Sequence, residues 1–355
     1  SKTMKSKNGL VYTAVAVAAT SLALLPGSTS AFLSPRHTTR SLHHSRHIIQ
    51  RDLFHIRGGD ISTMSSSTAL SSAIGPATET LRRTLVSGSP LRAIGVLYAV
   101  ASLTVVPLTY YRTAYSFSVG YGLSVAAMSL ALISSFGGFS QLKSLSAPSV
   151  LAMTSVAYGL RLAAYIFVRE LKVESKRKAF DEMDKKTTAL RRTPLALGVS
   201  LLYAFMVSPI LFAFRGILDA GSVSERVQAF FTGVAAFGMI LESVADQHKY
   251  EAKRRSREGD DKFVGPTTWS YTWCRHPNYL GEILYWVGLF GAGSVSFGKS
   301  IAAWVCGVLG LWGILKIMLG SSSSLDTKQS EKYGGQPAFD EWKGKVTSSV
   351  IPFLR

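Results

Sequence analysis

The chain has 355 residues, of which 47% are hydrophobic and only 17% are charged. In soluble domains about a quarter of all residues are charged, so this composition excludes an ordinary soluble protein of this length. The formal net charge of +18 is dispersed: the first 88 residues hold ten Lys/Arg against three acids, and most of the remainder lies between long apolar blocks. That placement is typical of the basic loops of a membrane protein, and we expect no nucleic-acid partner.

The first 31 residues have the layout of a secretory signal peptide. Three lysines precede an apolar run over 10–25, and a small-residue stretch follows it up to Ala31. Residues 32–89 are rich in Ser, Thr, Arg and His and poor in acids, which predicts a disordered segment of the organelle transit type. The junction around Phe32 resembles the bipartite presequences of algae with secondary plastids, which implies a plastid membrane. The alternatives are the endoplasmic reticulum membrane and an N-terminal anchor followed by a disordered linker.

Seven apolar blocks follow, each about as long as a membrane-spanning helix. They cover roughly 92–110, 119–137, 148–168, 195–214, 228–245, 279–297 and 300–319. We therefore predict an all-α bundle of about seven transmembrane helices, in which the tight turn at 298–300 makes the last two helices a hairpin. The N-terminal helices would lie in 90–145 and a C-terminal membrane domain in 146–355, ending in a short extramembrane tail.

Basic residues concentrate on one side of this predicted bundle. The connections 111–118, 169–194, 246–278 and 320–355 share that side, and the second and third hold most of the Lys and Arg. Positive-inside topology explains such a face by itself. The functional alternative is that the face gathers an anionic ligand, such as a dinucleotide phosphate or a lipid headgroup.

Ionisable residues inside the blocks are few, because a charge there costs a few kcal/mol. They are Arg161, Glu242, Asp246, Glu282 and Lys316. Snorkelling to the interface accounts for Lys316 and partly for Asp246. It does not account for Arg161 and Glu282, for which we expect a buried polar cluster. Glu242 and Asp246 are four residues apart and share one helix face.

The run Arg275-His276-Pro277-Asn278 opens the sixth block. Proline in the first turn of a helix loses no hydrogen bond, and the free N–H groups there suit a phosphate or a carboxamide oxygen. Glu282, one turn further in, can accept a hydrogen bond from an amide or share a proton, and Gly281 permits the close approach of a ligand or a helix.

The two cysteines do not define a site. Cys274 and Cys306 have no paired spacing, so we expect neither a disulfide framework nor a metal site.

The stretch Asp246-Gln247-His248-Lys249, together with the run from Trp269 to Glu282, resembles the C-terminal domain of the steroid 5α-reductase superfamily in its DUF1295-like branch. The tail, with Lys332-Tyr333-Gly334, Trp342 and Ile351-Pro352-Phe353, resembles the ends of that branch and of the sterol C14 and Δ7 reductases. The resemblance covers roughly 150–355. The Arg-His-Pro-x-Tyr part is shared with membrane methyltransferases, whereas the continuation through Gly281 to Glu282 favours the reductases.

The resemblance implies an NADPH-dependent reductase of a C=C bond in a lipophilic substrate: a sterol, an isoprenoid or an enoyl lipid. Carried over by motif, the catalytic candidates are Glu282 and Tyr279. The cofactor-binding candidates are Arg161, Asp246, Lys249, Lys253, Arg275, His276, Asn278, Glu282, Tyr333 and Trp342. Asn278 and Glu282 would contact the nicotinamide, and Lys249 and Lys253 would lie near the phosphates. The Tyr/Glu pair of the steroid-reducing members lies in their N-terminal half and is not matched in this sequence.

Two other functional classes remain open. One is a methyltransferase that uses S-adenosylmethionine on an isoprenyl thiol or a phospholipid, against which Glu282 and the Glu242/Asp246 pair argue. The other is a non-catalytic membrane scaffold or a transporter, against which the polar residues argue because they gather at one end of the bundle.

Overall fold

The computed structural model describes residues 78–137, 145–185, 188–216, 221–254 and 262–352. The predicted signal peptide and most of the predicted transit-like segment lie outside these ranges. The described residues form helices and connections, without a strand. After a helical stretch at 78–87, the helices are α1 (Pro90–Tyr111), α2 (Val119–Ser135), α3 (Ala147–Lys172), α4 (Glu174–Lys185), α5 (Thr193–Arg215), α6 (Val223–Arg254), α7 (Pro277–Ser294), α8 (Ile301–Tyr333) and α9 (Pro337–Lys345).

Each of the seven predicted apolar blocks corresponds to one helix, although the blocks at 119–137, 279–297 and 300–319 extend one to three residues beyond their helices. Five of the described helices are long and apolar enough to cross a membrane, namely α1, α3, α5 with its preceding turn (Leu190–Arg215), α6 and α8. By this measure the chain is an all-helical integral membrane protein. Helix α2 is apolar but has 17 residues, and α7 has 18 residues and is not among the five. Seven crossings therefore stay a prediction.

Local signals in the sequence define where several helices begin. Helices α1, α3, α5, α7 and α9 each carry proline in the first two positions, where its missing N–H would have no helical partner. Helix α8 begins after Ser300, whose hydroxyl accepts a hydrogen bond from the Ala303 amide at 3.3 Å. The connection 295–300 is short, which confirms the predicted hairpin of α7 and α8.

Glycines bring two pairs of helices into backbone contact. At the crossing of α2 and α3, a methyl group on Gly122 or on Gly159 would collide with the carbonyl oxygen of the other glycine. At the crossing of α6 and α7, a methyl group on Gly238 would lie 2.5 Å from the Gly281 carbonyl oxygen. Small residues permit such approaches between membrane helices. The neighbours of these glycines, including Tyr121, Tyr158 and Glu282, are therefore held close to the crossing points.

Two of the four basic connections that were predicted to share one side are in contact with each other. Arg112, just after α1, pairs with Glu170 of α3 and Asp181 of α4. The backbone N–H and the hydroxyl of Thr113 donate to the carboxylate of Asp184 at 2.7 and 2.8 Å. The segments 111–118 and 169–194 thus meet at one end of the bundle.

The structure differs from the sequence expectations in three places. Segment 169–194 contains helix α4. Helix α8 continues beyond the predicted boundary at 319 to Tyr333 because its serine hydroxyls are satisfied within the helix, as when Ser322 donates to the Leu319 carbonyl at 2.9 Å. Residues 78–87, assigned by composition to a disordered segment, are helical, and Leu85 is buried against the core.

Candidate functional site

A buried ion-pair network joins α3 to α6. The guanidinium of Arg161 donates to Glu242 Oε1 at 2.7 Å and to Asp246 Oδ2 at 2.6 Å. Glu242 is only 2% exposed and Asp246 is 6% exposed. The predicted buried cluster around Arg161 is confirmed. One cation faces two carboxylates, and Glu242 Oε2 is buried without a hydrogen-bond partner.

A second buried network places a phenol against Glu282 of α7. The Tyr121 hydroxyl of α2 donates to Glu282 Oε1 at 2.9 Å and accepts from the Trp286 indole N–H at 2.8 Å. The Tyr158 hydroxyl of α3 lies 3.2 Å from the Tyr121 hydroxyl. A phenol has one hydrogen to give. Because Tyr121 gives it to Glu282, Tyr158 must donate to Tyr121, which defines a chain of hydrogen bonds from Tyr158 through Tyr121 to Glu282.

Aromatic rings enclose this chain of hydrogen bonds. Tyr285 stacks on Tyr158 with ring centroids 3.9 Å apart, and its hydroxyl donates to Ser155 at 2.8 Å. Tyr203 packs against Tyr121 with centroids 5.0 Å apart. Tyr158, Tyr203 and Tyr285 are all buried. An apolar enclosure keeps water away from Glu282 and strengthens each polar contact inside it.

The start of α7 is fixed by Asp326 of α8. Asp326 accepts from Arg275 Nη2 at 2.7 Å, from His276 Nε2 at 2.7 Å and from the Ser349 hydroxyl at 2.7 Å. Arg275 also donates to the carbonyl oxygens of Val346 and Thr347. Burial lowers the pKa of His276 and outweighs the opposing effect of the nearby Asp326 carboxylate. A carboxylate only accepts hydrogen bonds, so Nε2 of His276 is the donor in this contact. Arg275 and His276 therefore tie the motif to the C-terminal tail.

Asn278 lies within this ordered start of α7. Its side chain is half-buried, and its Oδ1 atom is buried without a hydrogen-bond partner. Tyr279, the next residue, packs its ring 5.6 Å from that of His276 and lines an open depression beside α8. The two motif residues thus have different surroundings.

The tail residues Tyr333 and Trp342 belong to a small aromatic core. Both rings lie 5.5 Å from the ring of Phe263. Trp342 Nε1 donates to the Tyr271 carbonyl oxygen at 3.2 Å, and the Tyr271 hydroxyl donates to the Ala245 carbonyl oxygen at 3.2 Å. The core therefore supports the turn of α6 that carries Asp246.

Cations from four helices lie close together at the basic end and form a cation cluster. Burial lowers the pKa of Lys176 on α4, and the charges of Arg169, Lys253 and Lys328 lower it further. Lys176 is exposed to solvent, so this cluster faces solvent at the end of the bundle. Lys249 is half-buried on α6, one turn before Lys253. Such a set of neighbouring cations favours an anionic ligand.

Apart from Asn278 and Tyr279 at the start of α7, the predicted site residues fall into five groups in space. Arg161 joins Asp246, Glu282 joins a tyrosine network, and Arg275 and His276 join Asp326. Lys249 and Lys253 belong to the cation cluster, and the tail aromatics pack together. The sequence analysis missed Tyr121, Tyr158, Trp286 and Asp326. A usable signal was that Tyr121 and Tyr158 each immediately precede a glycine within an apolar block.

The arrangement can hold one proton and pass it between oxygen atoms. It can also accept hydrogen bonds from the donor groups of a ligand. The Tyr158–Tyr121–Glu282 chain is a path for a proton between buried oxygens. Glu242 Oε2 and Asn278 Oδ1 are buried acceptors that lack a donor, and such groups in a native protein call for a partner.

Comparison with known proteins gives a family and one distant relative. The family described as "Protein of unknown function (DUF1295)" matches residues 118–346. The uncharacterized protein C594.04c of Schizosaccharomyces pombe is 26% identical over 125 residues, which cover 31% of this chain and 35% of the relative. The chain thus spans about a third of the length of the curated relative that it matches. No solved structure matches the chain. The family match begins at 118, earlier than the 150 expected from the motifs, and so includes α2 with Tyr121.

Proposed function

This chain belongs to the DUF1295 family, and we propose that it is a membrane-embedded, NADPH-dependent reductase of a C=C bond in a lipophilic substrate. The observation that carries the proposal is the buried contact between the Tyr121 hydroxyl and Glu282. The motif resemblance supports a place for the family within the steroid 5α-reductase superfamily. The presequence composition supports a plastid membrane.

The residues present fit a nicotinamide dinucleotide phosphate. Its amide and hydroxyl groups are donors, and the buried oxygens of Asn278 and Glu242 are acceptors without donors. Its phosphates are anions, and Lys176, Lys249 and Lys253 belong to the cation cluster of the basic end. As the motif resemblance implies, Asn278 and Glu282 would hold the nicotinamide end, with the lysines near the phosphates. When bound, the cofactor supplies a hydride.

The chain's own residues supply the matching proton. Reduction of a polarised C=C bond adds a hydride to one carbon and a proton to the other, and a positioned side chain can deliver that proton. Tyr121 and Glu282 share a proton in a buried aromatic enclosure, and Tyr158 is placed to replace it. Arg161 holds the carboxylates of Glu242 and Asp246 in place. Their negative charge therefore stays at a defined position beside Tyr121 and Glu282.

Ligand binding to the purified protein in detergent tests the proposal. The thermal unfolding midpoint is measured with NADPH and with S-adenosylmethionine. A ligand that binds only the native state stabilises it by about 2.7 kcal/mol at one hundred times its Kd. We expect stabilisation by NADPH. Stabilisation by S-adenosylmethionine alone would indicate the methyltransferase, and no response to either ligand would favour the scaffold.

The variant Glu282→Gln tests the proposed contact between Glu282 and the nicotinamide end of the cofactor. Loss of a charge-assisted hydrogen bond of about 1.5–3 kcal/mol weakens binding by roughly ten- to a hundred-fold. We therefore expect NADPH to stabilise this variant only at higher concentrations, each midpoint being compared with that of the same variant without ligand. Glu331→Gln, at an exposed position of α8, is the control. Unchanged NADPH affinity in Glu282→Gln would remove the assigned role.

A further inference from the structure

An open depression of about 550 Å³ lies between Tyr279 and one face of α8. The lining residues of α8 recur at helical spacing and so form a single stripe. They are Lys316, Ile317, Gly320, Ser321, Ser324, Leu325 and Lys328. We call this feature the α8 groove; neither the proposed hydride transfer nor its proton path uses it, and only Lys328, at its outer end, also belongs to the cation cluster of the basic end.

The α8 groove combines charge, hydroxyl groups and apolar surface. Lys316 and Lys328 are twelve residues apart, about 18 Å along a helix. Ser321 and Ser324 lie between them and offer hydroxyl donors, and Ile317 lies next to Lys316. A ligand that fits this order has anionic and hydrogen-bonding groups at one end and an apolar chain at the other.

Gly320 keeps the middle of the α8 groove open. A methyl group added there would meet no atom within 4 Å, whereas one added to Gly310 of the same helix would meet the Met206 amide nitrogen at 2.6 Å. Glycine inside a helix is less favourable than alanine. Helix packing therefore explains Gly310 but does not explain Gly320, where open space is left on the surface.

The α8 groove lies across the predicted edge of the membrane. The apolar block of α8 ends at 319, so Lys316 lies just inside that edge and Lys328 well outside it. Snorkelling alone would explain a single lysine at this depth. It does not explain the serines and the open glycine that follow it. Basic pockets at the ends of membrane helices are suited to the headgroups of anionic lipids.

We propose that the α8 groove binds a membrane amphiphile through its phosphate headgroup. The phosphate lies between Lys316 and the serine hydroxyls, more distal anionic groups reach Lys328, and the apolar chain leaves past Ile317 into the bilayer. Either a bilayer phospholipid or a phosphorylated isoprenoid has this chemistry. The binding does not depend on the reductase activity.

Electron spin resonance of spin-labelled lipids measures this binding directly. The full chain is reconstituted in phosphatidylcholine vesicles, and its selectivity for spin-labelled phosphatidic acid over spin-labelled phosphatidylcholine is determined. We expect the protein to select phosphatidic acid. Because a lysine near an anionic lipid surface contributes about 1 kcal/mol, Lys316→Gln and Lys328→Gln should each lower the selectivity by about five-fold. Lys299→Gln, an exposed lysine in the α7–α8 connection at the other end of the bundle, is the matched control.

Gly320→Leu provides a variant that keeps the charge and fills the space. Leucine favours a helix more than glycine does, so this variant should fold normally and lose the selectivity. Competition with geranylgeranyl phosphate and with inorganic phosphate then identifies the ligand class. Displacement by geranylgeranyl phosphate favours an isoprenoid source, and displacement only by unlabelled phosphatidic acid favours a phospholipid. Displacement by inorganic phosphate, equal losses in Lys299→Gln, or no selectivity in the wild type would overturn the proposal.

Discussion

At the scale of single residues, Arg161 is the cation on which two buried carboxylates depend. It contacts both Glu242 and Asp246, and no cation besides Arg161 lies within ion-pair distance of either carboxylate among the described residues. Removal of one partner from a buried ion pair costs about 3–5 kcal/mol because the remaining charge is uncompensated. The contribution of Arg161 therefore comes from charge balance as well as from its hydrogen bonds.

We predict that Arg161→Gln destabilises the protein by about 3–5 kcal/mol. The thermal unfolding midpoint in detergent measures the loss, with Arg226→Gln, at an exposed position of α6, as the control. Adding Glu242→Gln and Asp246→Asn to Arg161→Gln removes the uncompensated charges and should restore most of the midpoint. A triple variant no more stable than Arg161→Gln would show that charge balance is not the reason for the loss.

At the scale of helices, the crossings decide which side chains meet. Gly238 and Gly233 lie on the same helix and have opposite surroundings. A methyl group on Gly238 would lie 2.5 Å from the Gly281 carbonyl oxygen and 2.9 Å from the Leu284 carbonyl carbon, whereas one on Gly233 would meet nothing within 4 Å. The first glycine sets the distance between α6 and α7, and the second does not.

We predict opposite effects for the same substitution at these two positions. Gly238→Ala forces the two backbones apart and should cost about 1–3 kcal/mol. Gly233→Ala should be neutral or should stabilise the helix by up to about 1 kcal/mol. Thermal midpoints of the two variants, with the NADPH response of each, test the comparison. Equal effects would mean that the crossing does not depend on Gly238.

The sequence predicts the helices more completely than it predicts the contacts between them. Apolar blocks define helices because the length and hydrophobicity of a span are local properties. The Arg161 cluster was predictable because a charge inside a span demands a partner. Tyr121 and Asp326 were not predictable as partners of Glu282 and His276, because those contacts depend on how helices separated by tens of residues cross. A tyrosine in an apolar block does not need a charged partner, so the sequence gives no comparable signal for it.

At the scale of the whole molecule, the connections alternate between two ends of the bundle. The segments that follow α1 and α3 meet at the basic end. At the other end, Gln228 of α6 donates to the Ala292 carbonyl oxygen of α7 at 3.2 Å. Helices α2 and α7 run from the first end to the second although neither is among the five helices that qualify as spans.

We predict that α2 and α7 nevertheless cross the membrane. Single cysteines at Glu182 and Lys345 should then react with an impermeant maleimide from one side of oriented vesicles, and cysteines at Leu145 and Lys299 from the other side. All four positions are exposed, and the native Cys274 and Cys306 are buried. If α2 and α7 do not cross, Leu145 and Lys345 would react from one side and Glu182 and Lys299 from the other, and this result would contradict seven crossings.

The contacts of the C-terminal tail with the start of α7 have a consequence for biosynthesis. Arg275 donates to the carbonyl oxygens of Val346 and Thr347, and the His276 amide donates to the Ser349 carbonyl oxygen at 2.9 Å. A nascent chain lacks these acceptors until about seventy residues after His276 have been synthesised. The contacts that fix the motif at the start of α7 therefore form only after all of the described helices, α1 to α9, have been synthesised.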